Sequence, residues 1–159
     1  EYFDAISNYH LKILEYSHSR GSEEFIESCI EYYANLGIHF EYEDILATQG
    51  ASEALMFVMM AVCDADENIL TPEPFYANYN TFSDMVTARI KPITTYTENS
   101  FRLPEYEELK TFVDDKTIAI LISNPNNPTG RVYTEEEIDA ITKPEKAVSV
   151  LAKGIVLLE

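Results

Sequence analysis

The sequence has 159 residues, of which 46% are hydrophobic, 25% charged and 12% aromatic. This composition is that of a chain that folds around a core, and it excludes disordered, collagen-like and disulfide-scaffold proteins. With 28 acidic and 11 basic residues the formal net charge is −17; such a field repels nucleic acid phosphates and anionic lipid headgroups, so we expect no nucleic acid and no membrane among the partners.

Cysteine usage and the apolar runs of the chain favour a cytoplasmic location. Cys29 and Cys63 lie outside any C-x-x-C spacing, which is more typical of buried thiols in a reduced protein than of a disulfide or of metal ligands. The longest apolar run, residues 54–63, has about half of the ~20 residues that span a bilayer. The first residues carry neither the basic nor the apolar region of a signal peptide. We therefore expect a cytoplasmic protein without a metal site.

The first 40 residues have the pattern of a helical lead-in. Apolar residues at helical spacing predict a first helix from Phe3 to Leu14, and a polar segment at residues 17–22 interrupts it. Ser22 can cap a second helix, whose apolar positions recur until Gly37 ends the element.

After residue 40 the pattern changes to strands that alternate with helices. A short strand is predicted at residues 45–48, and residues 52–63 are so apolar that the helix they form should be largely buried. Further strands are predicted at 69–71, 89–94, 117–123 and 154–158, and further helices at 76–85, 105–113, 134–140 and 147–153. Thr134 and Glu137 have the spacing of a capping box. Because parallel neighbours need crossover connections, this alternation predicts an α/β fold with a mostly parallel sheet and flanking helices over residues 41–159.

Three segments follow predicted strands, at the edge where an open parallel sheet binds its ligands. The first is Thr48-Gln49-Gly50-Ala51-Ser52-Glu53-Ala54. Gly50 permits close approach of the backbone, and the free N–H groups of Ala51 and Ser52 begin a helix whose dipole favours an anion. The alternative is an ordinary strand-to-helix turn in which Ser52 is only the N-cap.

The second and third segments are rich in proline, aromatic and amide side chains. In Pro72-Glu73-Pro74-Phe75-Tyr76-Ala77-Asn78-Tyr79, two prolines stiffen the loop, and the aromatic rings either lie on a planar ligand or pack in the core. In Ser123-Asn124-Pro125-Asn126-Asn127-Pro128-Thr129-Gly130, the asparagines and prolines either form only a tight turn or also hold one amide where it donates a hydrogen bond to a ligand oxygen.

In this order and at these separations, the three segments resemble those of the class I and II aminotransferases, which have the aspartate aminotransferase fold and use pyridoxal 5'-phosphate. The resemblance runs from about Tyr2 to Asp139, and its most specific part is Asn127-Pro128-Thr129-Gly130. It implies the large, cofactor-binding domain of a fold-type I enzyme. Residues 1–159 would be an incomplete, N-terminal part of that domain in a longer parent protein.

The resemblance also implies roles for residues of the three segments. Ala51 and Ser52 would bind the cofactor phosphate. Tyr76 would stack on the pyridine ring, and Asn127 would donate a hydrogen bond to the phenolic oxygen of the cofactor.

Further residues would complete the surroundings of the cofactor in the parent enzyme. Asn78 and Tyr79 would lie around the ring. Tyr16 matches the family tyrosine that reaches across a dimer interface to the phosphate of the neighbouring subunit, which implies a homodimer. The substrates would be an amino acid and a 2-oxo acid.

The lysine that the family bonds to its cofactor has no counterpart in this sequence. In the family it lies in a short Ser/Thr-Lys stretch followed by a glycine-arginine motif. The lysines of this chain are in other contexts, at positions 12, 91, 110, 116, 143, 146 and 153. The family's aspartate at the pyridine nitrogen and its substrate-binding arginines have no counterpart either. We therefore expect no catalytic residue among these 159 and no transaminase turnover by them alone.

Two alternatives are compatible with the same residues. Another fold-type I enzyme, such as a carbon–sulfur lyase, a decarboxylase or a synthase, would share the three segments because the cofactor is the same. The second alternative is a non-catalytic acidic α/β module that binds a protein or a nucleotide, since fold alone does not give function. The nucleotide version is weaker because neither G-x-x-x-x-G-K-[ST] nor G-x-G-x-x-G occurs.

Overall fold

Helices and strands alternate along most of the chain in the computed structural model, which describes residues 1–10, 12–13, 16–142 and 155–158. The helices are α1 (Tyr2–Asn8), α2 (Glu23–Asn35), α3 (Ala51–Val62), α4 (Asn78–Met85), α5 (Tyr106–Leu109) and α6 (Glu135–Thr142). The strands are β1 (Asn68–Glu73), β2 (Arg89–Thr94), β3 (Thr117–Ser123) and β4 (Ile155–Leu158). Single 3-10 turns are formed by Tyr42–Asp44, Thr97–Asn99 and Lys110–Phe112. The chain divides into two units, Glu1–Ala51 and Ser52–Glu159.

The second unit is built on a parallel sheet, which confirms the predicted α/β fold. Its strands lie in the order β2-β1-β3-β4, and each neighbouring pair is parallel. Strands β2 and β3 have the predicted bounds. Because neighbouring strands run in the same direction, the chain must return from the carboxyl end of one strand to the amino end of the next. Helices form these crossover connections.

The core of the second unit lies on the two faces of the sheet. Side chains alternate along β3, so that Ile120 and Ile122 belong to one cluster and Ala119 and Leu121 to the other. The first cluster also contains Leu70, Ile93, Leu103, Leu109, Tyr133 and Ile141, and the second Leu55, Met59, Ile69, Tyr79, Phe82 and Ile118. Helices α5 and α6 therefore cover one face, and α3 and α4 cover the other.

A polar network closes the amino-terminal edge of the sheet. The register between β1 and β3 shifts next to Asn68, whose side chain is buried. Its Nδ2 donates to Asp114 Oδ1 at 2.9 Å, and its Oδ1 accepts from Thr117 Oγ1 at 2.8 Å. Lys91 Nζ lies 2.6 Å from Asp114 Oδ2. Both polar atoms of the buried Asn68 side chain are thus hydrogen-bonded, as buried polar groups usually are.

The strand predicted at residues 45–48 does not form. Those residues join no sheet among the described residues; instead Ala47 N donates to Arg20 O at 2.8 Å and the Arg20 guanidinium donates to Glu43 O at 2.8 Å. Gly21, next to Arg20, has a φ of +119°, and a Cβ there would lie 2.6 Å from the Ala47 Cβ. A strand needs a neighbouring strand to pair its backbone groups, and an apolar sequence pattern does not show whether such a neighbour exists.

Two helices differ from their predicted extent or burial. Helix α1 ends at Asn8, not at Leu14, and none of its residues is buried, so it lacks the packed face that stabilises most short helices. Helix α3 is buried only at Leu55 and Met59, whereas its Phe57 and Met60 are exposed, so the expectation of a largely buried helix was wrong.

The helix predicted at 147–153 lies outside the described residues. Within the described part of the chain, no helix is long and apolar enough to cross a membrane.

Asp114 gives the first testable prediction, on stability against pH. The hydrogen bonds from Lys91 and Asn68 hold the pKa of the Asp114 carboxyl well below its usual range. The charged form therefore stabilises the fold above the unfolded-state pKa of ~3.9, and this contribution is lost progressively as the pH falls from that value through the lower folded-state pKa. Because the side chain is 46% exposed, we expect Asp114→Asn to cost less than about 1 kcal/mol at neutral pH. Urea denaturation at neutral pH and at about pH 3 measures the difference, and a difference that does not shrink in acid contradicts the prediction.

Candidate functional site

The segments that follow β1 and β3 lie at the same edge of the sheet. The two strands are parallel neighbours, so Glu73 and Ser123, their last residues, are at the carboxyl end. Helix α3 leads through residues 63–67 into the opposite end of β1 and packs in the same cluster as Ile69. Its first turn therefore points toward the carboxyl edge, where ligands of open parallel sheets bind.

The first turn of α3 is exposed and open. Ala51 and Ser52 are its first two residues, and both are exposed. Their N–H groups have no partner within the helix, as at any helix start. Gly50 precedes them with a φ of +84°, its N–H donates to Thr48 O at 2.8 Å, and a Cβ on Gly50 would meet no atom within 4 Å. The structure thus leaves free space beside two N–H donors and a hydroxyl at the positive end of a helix dipole.

Tyr76 is held by its two neighbours in the segment after β1. Its hydroxyl accepts a hydrogen bond from Asn78 Nδ2 at 2.7 Å, and its ring meets the Tyr79 ring edge to face, with centroids 5.6 Å apart and an interplanar angle of 86°. The residue remains 37% exposed. An aromatic ring fixed at both its hydroxyl and its edge, with part of its surface free, can act as a stacking surface.

Tyr79 lies beneath Tyr76 and belongs to the core. It is only 3% exposed, packs in the cluster with Leu55 and Leu121, and its ring stacks on Phe75 at 6.1 Å. Burial raises the pKa of the Tyr79 hydroxyl, and the nearby Ser123 side chain partly offsets this effect. The core-packing alternative therefore describes Tyr79, whereas the Tyr76 ring is partly exposed and its contact with a planar ligand stays a prediction.

The asparagines after β3 have different surroundings. Asn124 Oδ1 accepts from Tyr133 N at 3.0 Å. Asn126 is 7% exposed, and its Oδ1 accepts from Thr129 N at 3.3 Å and from Thr129 Oγ1 at 2.8 Å. Asn127 is exposed, and its side chain makes no hydrogen bond to the described residues. Two of the three amides therefore build the turn, and the third is available to a ligand.

Tyr16 belongs to the first unit. It lies in an irregular segment between α1 and α2, and its side chain is fully exposed. Its environment in this chain thus leaves the whole ring accessible.

A buried ion pair behind the asparagine turn was not foreseen as part of the site. Glu137 lies in α6 with a side-chain exposure of 3%, and its Oε2 is 2.8 Å from Nη2 of Arg131. The sequence signalled only the capping box, which is present: Thr134 N donates to Glu137 Oε2 and Glu137 N donates to Thr134 Oγ1. A glutamate at this spacing is usually a surface residue, so its burial could not be read from the pattern.

The division among the asparagines predicts unequal effects on stability. Asn126→Ala removes a buried side chain, leaves the partly buried Thr129 donors unpaired, and should lower the free energy of unfolding by about 1–3 kcal/mol. Asn127→Ala removes an exposed amide without a partner in the turn and should change it by less than about 0.5 kcal/mol. Urea denaturation monitored by circular dichroism compares the two variants. Equal losses would mean that Asn127 is a structural residue of the turn.

The sequence pattern of the family described as aminotransferase class I and II matches residues 8–152 of this chain. The tyrosine aminotransferase of Caenorhabditis elegans is 34% identical over 116 residues, which are 72% of this chain and 25% of that protein. The aspartate aminotransferase of Bacillus subtilis (strain 168) is 30% identical over 128 residues, which are 80% of this chain and 32% of that protein.

Solved structures agree with these sequence relatives. The alanine aminotransferase of Pyrococcus furiosus superposes with a TM-score of 0.81 and 25% identity, over 98% of this chain and 38% of that one. The aromatic aminotransferase of Pyrococcus horikoshii superposes with a TM-score of 0.74 and 31% identity, over 80% of this chain and 34% of that one. The chain therefore spans between a quarter and two fifths of the length of the relatives it matches. By its sequence and its parallel α/β fold, this chain belongs to the class I and II aminotransferase family.

Proposed function

We propose that this chain contributes part of the pyridoxal 5'-phosphate site of an aminotransferase. The observation that carries the proposal is the exposed Asn127 amide, which a hydrogen-bonded turn holds and which has no partner of its own among the described residues. It lies after the carboxyl end of β3, and Tyr76 lies after the carboxyl end of the neighbouring strand β1. The relatives of this chain are tyrosine, aspartate and alanine aminotransferases, which favours amino-group transfer over the lyase, decarboxylase and synthase alternatives. An acidic binding module without a cofactor would not need an amide held in this way.

The groups at this edge suit the chemistry of the cofactor. A phosphate needs several N–H and O–H donors and favours the positive end of a helix, which Ala51 and Ser52 provide beside the open space at Gly50. A pyridine ring needs a flat apolar surface, which Tyr76 offers. A phenolic oxygen needs a donor, and the Asn127 amide has two N–H groups free of the turn. The donor set and the open cradle thus fit the group.

Each residue then has a defined part in binding. Ala51 and Ser52 would hold the phosphate, Tyr76 would limit the tilt of the ring, and Asn78 would keep the Tyr76 hydroxyl in place. Tyr79 would support Tyr76 from below. When bound, pyridoxal 5'-phosphate supplies an electron-accepting ring for chemistry at the amino-acid α-carbon. Asn127 would stabilise the ionised phenolic oxygen by donating a hydrogen bond to it.

The remaining parts of the proposal concern the whole protein. Its substrates would be an amino acid and a 2-oxo acid, and residues 1–159 would form part of the large domain, with residues 1–40 as helical lead-in and 41–159 as its α/β part. The fully exposed Tyr16 supports a homodimer in which this side chain reaches the phosphate of the neighbouring subunit. The unpaired thiols of Cys29 and Cys63 support a cytoplasmic location.

Ser52→Asp tests the phosphate site. An aspartate in the first turn of α3 suits the helix dipole, so the fold should keep its stability, while the added negative charge repels a phosphate. The probe is pyridoxine 5'-phosphate, whose alcohol replaces the aldehyde and so cannot react with lysines. We expect binding to weaken at least about tenfold, which is 1.4 kcal/mol. Isothermal titration calorimetry on the full chain measures the dissociation constants.

The matched control is Ser28→Asp, which adds the same charge at an exposed serine of α2. Ser28→Asp should leave the affinity for pyridoxine 5'-phosphate unchanged. In a second control, pyridoxine without the phosphate should bind equally well to wild type and to Ser52→Asp. If Ser52→Asp and Ser28→Asp had equal affinities for pyridoxine 5'-phosphate, or if the wild-type chain did not bind it at all, the proposed phosphate site would be wrong.

Asn127→Ala tests the contact with the phenolic oxygen. A hydrogen bond to a charged group is worth ~1.5–3 kcal/mol, and one pKa unit corresponds to 1.36 kcal/mol. Removing the donor makes the ionised oxygen more basic, so the pKa of the phenolic group of bound pyridoxine 5'-phosphate should rise by about 1 to 2. Absorbance titration of the saturated complex measures it. Thr129→Ala, in the same turn, should lower stability with a smaller change in this pKa, and equal pKa values for wild type and Asn127→Ala would contradict the assignment.

A further inference from the structure

Glu137 connects three segments of the second unit through one buried carboxylate. Its Oε1 accepts from Leu103 N at 3.0 Å, and its Oε2 accepts from Thr134 N and from Arg131 Nη2, each at 2.8 Å. These donors belong to the segment after β2, to the start of α6 and to the segment that follows the asparagine turn. A carboxylate so deeply buried is stable only because its oxygens are hydrogen-bonded and paired with a positive charge.

Arg131 closes the turn that contains Asn127. Its carbonyl oxygen accepts from Asn126 N at 2.7 Å, and its N–H donates to Thr129 Oγ1 at 3.1 Å. Thr129 Oγ1 in turn donates to Asn126 Oδ1 at 2.8 Å. Asn127 lies between the residues that make these bonds and contributes no side-chain hydrogen bond to them. Its direction is therefore set by the residues that close the turn.

The position of the Arg131 side chain depends on Glu137. The Arg131 side chain is 22% exposed, its Nη2 pairs with Glu137, and its Nε is buried without a hydrogen-bond partner among the described residues. Burial raises the pKa of the Glu137 carboxyl, but the hydrogen bonds from Thr134, Leu103 and Arg131 outweigh burial and hold that pKa below its ordinary value. The pair is thus charged at neutral pH. Without the carboxylate, a half-buried guanidinium would have no counter-charge and would turn toward water.

Helix α6 provides a firm base for this pair. Ile141 of α6 and Tyr133, just before it, are buried in the cluster on one face of the sheet, and Tyr133 N donates to Asn124 Oδ1. The turn is thus held at two places, by the bond of Asn124 to Tyr133 just before the helix and by the pair of Arg131 with Glu137 in the helix. The first sets where the turn leaves β3, and the second sets how its far end is oriented.

We propose that Glu137 is a positioning residue, which acts through Arg131 to fix the direction in which the Asn127 amide faces a bound ligand. The inference rests on the proposed role of Asn127 toward the phenolic oxygen of the cofactor. It assigns to Glu137 no contact with the ligand. Its effect on binding must therefore pass through Asn127, and this requirement separates positioning from a general role in stability.

A double-mutant cycle on the full chain tests the requirement. Glu137→Gln keeps the shape of the side chain and removes its charge, and pyridoxine 5'-phosphate is the probe in calorimetry. In the wild-type background we expect Glu137→Gln to weaken binding about tenfold, as expected for a misdirected hydrogen bond to a charged oxygen. In the Asn127→Ala background it should have almost no further effect. Glu136→Gln, an exposed neighbour in the same helix, removes an equal charge and should leave the affinity unchanged in both backgrounds.

The outcomes separate this inference from the proposed function. If Glu137→Gln weakened binding equally in both backgrounds, Glu137 would only stabilise the domain, and the inference would be overturned while the role of Asn127 stood. If Asn127→Ala alone had no effect, the proposed role of Asn127 would fail. The side-chain amide resonances of Asn127 in a nitrogen-15 spectrum report on the surroundings of this amide in the protein without ligand. They should shift in Glu137→Gln and not in Glu136→Gln. Resonances that are unchanged in Glu137→Gln overturn the inference.

A second variant covers the case in which Glu137→Gln does not fold. Arg131→Lys keeps a positive charge next to Glu137 but cannot reproduce the guanidinium geometry. It should weaken probe binding in the wild-type background and have almost no effect in the Asn127→Ala background. Circular dichroism confirms folding before each titration, and an affinity for Arg131→Lys equal to that of wild type contradicts the inference.

Discussion

Strands β1 and β3 lie side by side and run in the same direction, so both end at one edge of the sheet. Each strand is buried along its whole length except for its last residue, which is partly exposed. The segment with Tyr76 and the turn with Asn127 start from these two ends. Parallel pairing thus brings to the same edge residues that are about fifty positions apart in the sequence.

Most polar groups at this edge serve the structure and only a few face outward. Asn124, Asn126 and Thr129 use their hydrogen bonds within the turn, and Glu137 and Arg131 neutralise one another behind it. Asn127 has an amide that the turn leaves unused. A rigid surrounding with one free donor is what a binding site requires, because the donor then loses little conformational entropy when a ligand arrives.

The charge of the chain limits how an anion could be bound. The three segments at residues 48–54, 72–79 and 123–130 contain no lysine or arginine, in a chain with a net charge of −17. A phosphate held by these segments would depend on neutral donors, namely the N–H groups of Ala51 and Ser52 and the Ser52 hydroxyl, aligned with the dipole of α3. Positive charge would have to come from elsewhere, because in the proposed homodimer Tyr16 of a neighbouring subunit would add only another hydroxyl.

The sequence by itself determined the alternation of helices and strands, the bounds of β2 and β3, the capping box of α6 and the family, because apolar periodicity, capping residues and the Asn127-Pro128-Thr129-Gly130 motif are local signals. It did not determine whether residues 45–48 form a strand or how much of α3 is buried, since both depend on what packs against them. Residue type alone could not separate Asn126 from Asn127, or Tyr79 from Tyr76, since each pair has the same chemistry; only the resemblance to the family distinguished them. Only the tertiary structure decided which amide is paired and which ring is covered, because hydrogen-bond partners such as Thr129 and core neighbours such as Leu121 are fixed by packing, and not by the residues alone.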